Sequence, residues 1–193
     1  MTIADSCARL ERADRIVASR MGRAVDHWTV RLLGGASEAA DQPPLITLCA
    51  ATFATGLLLR NRRLAEAGGR MLAAELTATA IKDAIKSSID RTRPHVEAEG
   101  GQYRAGPGQS DESALNSFPS GHTAGAVAVA RAVGHVYPGA RGPALALAGA
   151  VAAVQVPRLK HYPTDLVAGA AVGFLADVLV SLAARQLTRR LSR

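Results

Sequence analysis

Three clusters in the chain carry side chains suited to handling a phosphate. Ser120, Gly121 and His122 follow Phe118-Pro119 and stand directly before the small, apolar run from Thr123 to Val136. That order reads as the mouth of a helix. The first backbone N–H groups of a helix lack intrahelical partners and carry the positive end of its dipole, so such a mouth attracts anions. Gly121 admits an oxygen-rich ligand close to the backbone, and His122 is placed to donate a proton beside it. Taken alone, the same residues serve equally well as an ordinary cap with a solvated histidine.

The second cluster is Lys86 with Arg93-Pro94. Pro94 keeps Arg93 from continuing a helix, which leaves Lys86 on the last turns and Arg93 on the exit. Two cations there either complement the helix dipole or form a phosphate clamp. The third cluster is His161-Tyr162-Pro163-Thr164-Asp165. Pro163 suits a first helical turn, so His161 stands just outside the following apolar run and Asp165 near its start. The carboxylate is placed either to take the Nδ1–H of His161, freeing Nε2 as a nucleophile, or simply to favour the helix amino end. Together the clusters offer two histidines, an orienting acid, two cations and a helix mouth. That inventory suits phosphoryl transfer and requires no metal.

The elements that must position these residues are apolar runs over Leu45–Leu59, Met71–Ile89, Thr123–Tyr137, Ala144–Val156 and Leu166–Ala184. Each is shorter than or near the lower limit of the ~17–25 residues that span a bilayer, and charge placement decides the reading. If each run crosses once, Arg60, Arg62, Arg63, Arg70, Arg141 and the tail Arg185, Arg189, Arg190, Arg193 fall on one face, cytoplasmic by the positive-inside tendency. The three clusters then gather at the outer face. Gly121/Gly125 and Gly169/Gly173 have the small-xxx-small spacing of close helix contacts. The segment from Ala4 to about Leu33 spaces Cys7, Leu10, Val17, Met21, Val25, Trp28 and Leu32 at helical intervals among arginines, which predicts one basic amphipathic helix, lying in a membrane interface or covering one side of a soluble bundle. Those arginines also exclude a signal peptide. The loop from Val96 to Asn116 reads as a hydrophilic connector or a lid. His135 and Asp177 lie within apolar runs, where ionisable groups usually face the bundle interior, and are expected to be packing or interfacial residues rather than catalytic ones.

The chain has 193 residues, a formal net charge of +7 and 48% hydrophobic residues, with aromatics at only 4%. Length predicts one domain, and small residues with arginine-rich ends suit close helix packing against an anionic surface. No aromatic-interleaved basic face points to nucleic acid. Cys7 and Cys49 suggest neither a disulfide framework nor a metal site.

In order and spacing, Lys86-x6-Arg93-Pro94, Pro119-Ser120-Gly121-His122 and His161-x3-Asp165 resemble the three signature motifs of the type 2 phosphatidic acid phosphatase superfamily, over about residues 75 to 175. The resemblance implies an all-α integral membrane bundle of about five to six helices, with residues 1–42 as amphipathic helix and connector. Residues 43–193 would be the phosphatase core, with motifs at 86–94, 119–122 and 155–165. It further implies hydrolysis of a membrane lipid phosphate or pyrophosphate through a phosphohistidine, without cofactor or metal, at the outer face of a bacterial cytoplasmic membrane. His161 would be the nucleophile, Asp165 its orienting partner and His122 the proton donor. Lys86, Arg93, Ser120 and the Gly121 amide would hold phosphate. The family's third motif has Ser-Arg where this chain has Val154-Gln155, so a neutral amide replaces a phosphate-binding cation. Arg158 is the first candidate to compensate alongside Gln155, and Lys160 the weaker one. The other readings are a soluble or periplasmic acid phosphatase, a vanadate-binding haloperoxidase, or a lipid-phosphate-binding protein with little turnover. Oligomeric state is not encoded in these motifs.

Overall fold

The computed structural model describes residues 3–191, so Arg193 of the basic tail lies outside the described residues. Among those residues there are eight α-helices: α1 (Ile3–Gly22), α2 (Trp28–Ser37), α3 (Gln42–Leu58), α4 (Arg62–Lys86), α5 (Pro94–Ala98), α6 (Gly121–Val136), α7 (Arg141–Val154) and α8 (Pro163–Leu191). Strands β1 (Ile89–Arg91) and β2 (Ala105–Pro107) pair antiparallel, with Asp90 opposite Gly106. The expectation of about five to six helices is corrected to eight among the described residues, with a short two-stranded sheet beside them. The five apolar runs became α3, α4, α6, α7 and α8, while the polar segments between them formed short elements of their own.

Helix α6 is the centre of the bundle, packed by α4, α7 and α8, while α3 forms a hairpin with α4. Its alanines make this possible. Ala124, Ala128 and Ala132 meet Ala74, Ala78, Met71, Val172 and Ala176 in one core cluster, so the helices approach through methyl groups rather than long side chains. Gly169 and Gly173 set the α6–α8 contact: a Cβ at Gly169 would lie 2.5 Å from the Ser120 carbonyl, and one at Gly173 would lie 2.3 Å from the Ala124 carbonyl.

The amino-terminal segment departs from the expected single helix. The chain turns over Arg23–His27, with Val25 N–H donating to the Gly22 carbonyl, and the His27 ring accepts from the Thr29 N–H to start α2. Among the described side chains of α1, Asp14 and Ala18 are buried, while Leu10, Val17 and Met21 remain exposed. The apolar stripe therefore flanks the packing face and does not form it. The loop after α5 is also more ordered than a connector. It supplies β2 and a 3-10 turn over Ser113–Leu115, tied down by the Arg93 N–H on the Ala114 carbonyl.

Candidate active site

Three chain segments converge at the ends of α4, α6 and α8. Ser120 caps α6 as its sequence suggested, its hydroxyl accepting from the Thr123 N–H at 3.4 Å. The Ser120 N–H in turn donates to the Asp165 carbonyl, so the mouth of α6 is fastened to the first turn of α8. Lys86 ends α4 and Arg93 precedes α5, where Pro94 occupies the first turn. Both cations donate to one acceptor, the Asn116 carbonyl, from Lys86 Nζ at 2.6 Å and from the Arg93 guanidinium at 3.5 Å.

The result is a cleft of about 290 Å3 lined by Lys86, Arg93, Gly121, His122 and His161 of the expected residues, together with Glu38, Asp41, Lys82, Asp83, Asn116 and Lys160. Lys82 Nζ donates to Gln42 Oε1 at 2.7 Å and pairs with Asp83 at 2.8 Å. Among the described residues, neither Lys86 nor Arg93 has a carboxylate partner, and the buried Arg93 Nε has no hydrogen-bond partner. The buried His122 Nε2 also lacks one, with Glu38 at 3.8 Å. Burial lowers the pKa of Arg93 from its ordinary value, with Asp165 opposing.

His161 is 3% exposed. Its Nδ1 lies 2.7 Å from the Ser117 carbonyl and 3.7 Å from Asp165 Oδ2. A carbonyl only accepts, so Nδ1 carries the proton and Nε2 has its lone pair free. The expected direct bond from His161 to Asp165 is therefore corrected: the Ser117 carbonyl takes the imidazole proton. Asp165 works one step back, its Oδ2 accepting from the Ser117 hydroxyl at 2.6 Å and the Tyr162 N–H at 2.8 Å. Burial pushes the His161 pKa down to about 4, against the pull of Asp165 and with the help of Arg93 and Lys86.

Two of the expected phosphate ligands point elsewhere. Gln155 is fully buried, its amide donating to Ser37 Oγ at 3.1 Å and to the Val151 carbonyl at 3.0 Å. Arg158 donates to Ser37 Oγ at 2.9 Å and pairs with Glu38, outside the lining of the cleft. Leu159 then adopts φ of 55°, a left-handed turn, after which Lys160 and His161 line the cleft. The weaker candidate is thus the one on the wall. The Ser120 side chain is buried as a cap against Thr123 and does not line the cleft, and neither does His95. His135 and Asp177 lie outside the cleft, and His135 is exposed rather than facing the interior. Asp177 is buried between Arg131 at 2.9 Å and His135 at 3.1 Å.

Sequence reasoning missed Arg91 and Asp14. Arg91 is 6% exposed and donates to Asp165 Oδ1 at 2.5 Å, to Asp14 Oδ2 at 2.8 Å and to Thr164 Oγ1 at 2.8 Å. Burial works against its charge, but Asp165 and Asp14 outweigh it and raise its pKa. No spacing rule marks Arg91. Asp14 had a faint signal, because Asp14, Ala18 and Gly22 make a helical stripe of short residues on an otherwise arginine-rich helix.

An apolar groove of about 330 Å3 lies on the other side of the turn Glu38–Ala40, which forms a partition. Glu38 and Asp41 line the polar cleft, while Ala39 and Ala40 line the groove together with Leu48, Ala130, Leu147 and Ala148.

The fold and the cleft together define a helical-bundle protein with a cation-rich, histidine-lined site at one end. Within that class the chain belongs to the PAP2 superfamily, whose sequence model matches residues 67–189. A lipid A 1-phosphatase of Porphyromonas gingivalis is 38% identical over 84 residues, a stretch covering 41% of this chain and 19% of that protein. The crystal structure of a transmembrane PAP2-type phosphatidylglycerolphosphate phosphatase from Bacillus subtilis matches with a TM-score of 0.68 and 19% identity, over 92% of this chain and 87% of that one. LpxE from Aquifex aeolicus matches with a TM-score of 0.62 and 16% identity, over 84% and 91% of the two chains. The likeness to these two structures is one of fold.

Proposed function

We propose that this protein is a metal-independent phosphatase that hydrolyses a membrane lipid phosphate or pyrophosphate through a phosphohistidine on His161. The observation that carries the reading is the pairing of a free Nε2 on His161 with two cations, Lys86 and Arg93, that lack a carboxylate partner among the described residues of the same cleft. Buried donors without partners are uncommon in folded proteins, and a phosphate dianion is the ligand these would satisfy.

In this reading Nε2 attacks phosphorus in line. A nitrogen–phosphorus bond forms as the bond to the leaving oxygen breaks, and His122 gives that oxygen its proton. Lys86, Arg93, Lys160 and the Gly121 amide meet the charge spreading over the equatorial oxygens. Water, deprotonated by His122, then attacks phosphorus, releasing inorganic phosphate and restoring His161. Asp165 orients the imidazole through Ser117, and Ser120 acts through the α6 mouth that it caps. Gln155 and Arg158 shape the wall by way of Ser37 and Glu38.

The apolar groove beyond the Glu38–Ala40 turn supports a lipid substrate, since one turn divides a phosphate-sized polar cleft from an acyl-sized apolar one. Membrane residence is supported by α8, whose residues Pro163–Leu187 are long and apolar enough to cross a bilayer, and by exposed Leu57, Leu58, Phe174, Leu179 and Leu182. The division into residues 1–42 at the interface and 43–193 as the catalytic core belongs to the same reading, with α1 presenting Leu10, Val17 and Met21 to lipid. So does placement of the site at the outer face of a bacterial cytoplasmic membrane. Arg63, which holds the Val136 carbonyl at the opposite end of α6, and Arg141 favour that orientation.

Detergent-purified protein, assayed for phosphate release from a panel of lipid monophosphates and diphosphates in EDTA, tests the proposal. Release by the wild type and none by His161→Ala is the expected result. No release from any lipid by folded protein would favour a binding role instead, since neither Gln155 nor Arg158 supplies the family's third-motif cation to the cleft.

A further inference from the structure

Asp14 reaches the base of the site from an element that carries none of the three motifs. Its carboxylate is buried, accepting from Arg91 on Oδ2 at 2.8 Å and from the Thr164 N–H on Oδ1 at 3.1 Å, with the Thr164 hydroxyl also donating to Oδ2. Arg91 is fully committed. One end of its guanidinium holds Asp165, the other holds Asp14, its Nε faces the Tyr103 hydroxyl at 3.3 Å, and the Tyr162 ring lies 4.3 Å from its centre. Two carboxylates thus share one guanidinium, and the buried group carries one net negative charge beside His161.

We infer that Asp14 is a positioning residue for His161: by taking half of Arg91, it leaves the Asp165 carboxylate only partly neutralised beneath an imidazole that must become cationic. The inference rests on the phosphohistidine reading above. When Nε2 bonds to phosphorus while Nδ1 keeps its proton, the ring gains a positive charge. An Arg91–Asp165 pair without Asp14 would be neutral and would offer that charge little. The cations that act on His161 are Arg93, ahead of α5, and Lys86 from α4; His122, Lys160 and the acids Glu38, Asp41 and Asp83 also line the cleft, with Glu38 paired to Arg158 and Asp83 to Lys82. Asp165 is the carboxylate that acts on His161 against those two cations, and Asp14, through Arg91, sets how far that carboxylate is neutralised. It also makes the seating of α1 a condition for turnover, although α1 supplies no group that touches phosphate.

The test is Asp14→Asn, which keeps the shape and removes the charge, with Asp14→Glu as the conservative control. In turnover of a lipid phosphate, Asp14→Asn should lower kcat by roughly 10- to 100-fold with KM nearly unchanged, and Asp14→Glu should recover most of it. A readout independent of turnover is the His161 titration in histidine-labelled protein, followed by NMR in micelles and assigned by its loss in His161→Ala. Removing a nearby negative charge should move that titration to lower pH. A merely structural role would loosen and wet the pocket and move it up towards the ordinary histidine range, and that result, or no change, would overturn the inference. Absence of phosphate release by the wild type would defeat the phosphatase reading, while the titration would still decide the role of Asp14.

Discussion

His161 is held in the tautomer that leaves the Nε2 lone pair free. The Ser117 carbonyl takes its Nδ1–H, and Ser117 is fixed in turn by Asp165 and by its N–H on the Arg91 carbonyl. Burial keeps the ring neutral until its pKa of about 4, so the acid limb of kcat/KM should fall near that pH and not near 6.5, as a pH–rate profile will read. The stability consequence has a definite sign. Above about pH 6.5 the group costs nothing. As pH falls from there to about 4 the unfolded chain binds a proton that the folded one refuses, so unfolding becomes easier across that window. Asp165→Asn would lose the charge opposite Arg91 and the acceptor that fixes Ser117, and should depress kcat by roughly 100-fold. The two histidines, Asp165, Lys86 and Arg93 were legible because the family motifs fix their type and spacing. Ser117 acts mainly through a backbone carbonyl, which any residue provides, and Arg91 contacts residues 74 and 77 positions away, so no local pattern announces either.

Helices α6 and α8 set the distance between the Ser120-Gly121-His122 turn and His161, and they do so through glycine. Gly173→Val would drive a side chain into the Ala124 carbonyl, now only 2.3 Å from where a Cβ would sit, and should cost about 1–3 kcal/mol, measurable as a lower Tm in detergent. The segment between α7 and α8 decides which cation lines the cleft, Lys160 and not Arg158. Lys160→Ala should lower kcat/KM by about tenfold, while Arg158→Ala should change it only a few fold, because that guanidinium is already engaged by Glu38 and Ser37. Helical spacing had favoured Arg158 beside Gln155. The left-handed turn at Leu159 reversed that order, and a non-glycine residue gives no warning of such a turn. The long apolar helices were legible from hydropathy. The break between α1 and α2 was not, because the spacing of apolar residues runs through it unchanged.

A polar cleft and an apolar groove divided by one turn make the bundle suited to a molecule that is ionic at one end and fatty at the other. The exposed leucines of α3 and α8 suit the same surroundings, and the protein should remain with membranes through a high-salt wash and be released by detergent, as fractionation will report. The five helical runs were legible from pattern and the all-α bundle from the family resemblance, while the alanines and glycines are what let those helices pack closely. The joining of α1 to the site was not legible, because it depends on a salt bridge between residues 77 positions apart. In the proposed function all of this serves one chemical event, transfer of a phosphoryl group to Nε2 of His161. Base-stopped turnover with a radiolabelled lipid phosphate, followed by peptide mapping at alkaline pH, measures that event directly. The account predicts an acid-labile, base-stable label on the peptide containing His161, absent from His161→Ala. Hydrolysis at full rate by His161→Ala, or a label mapped to another residue, would contradict it.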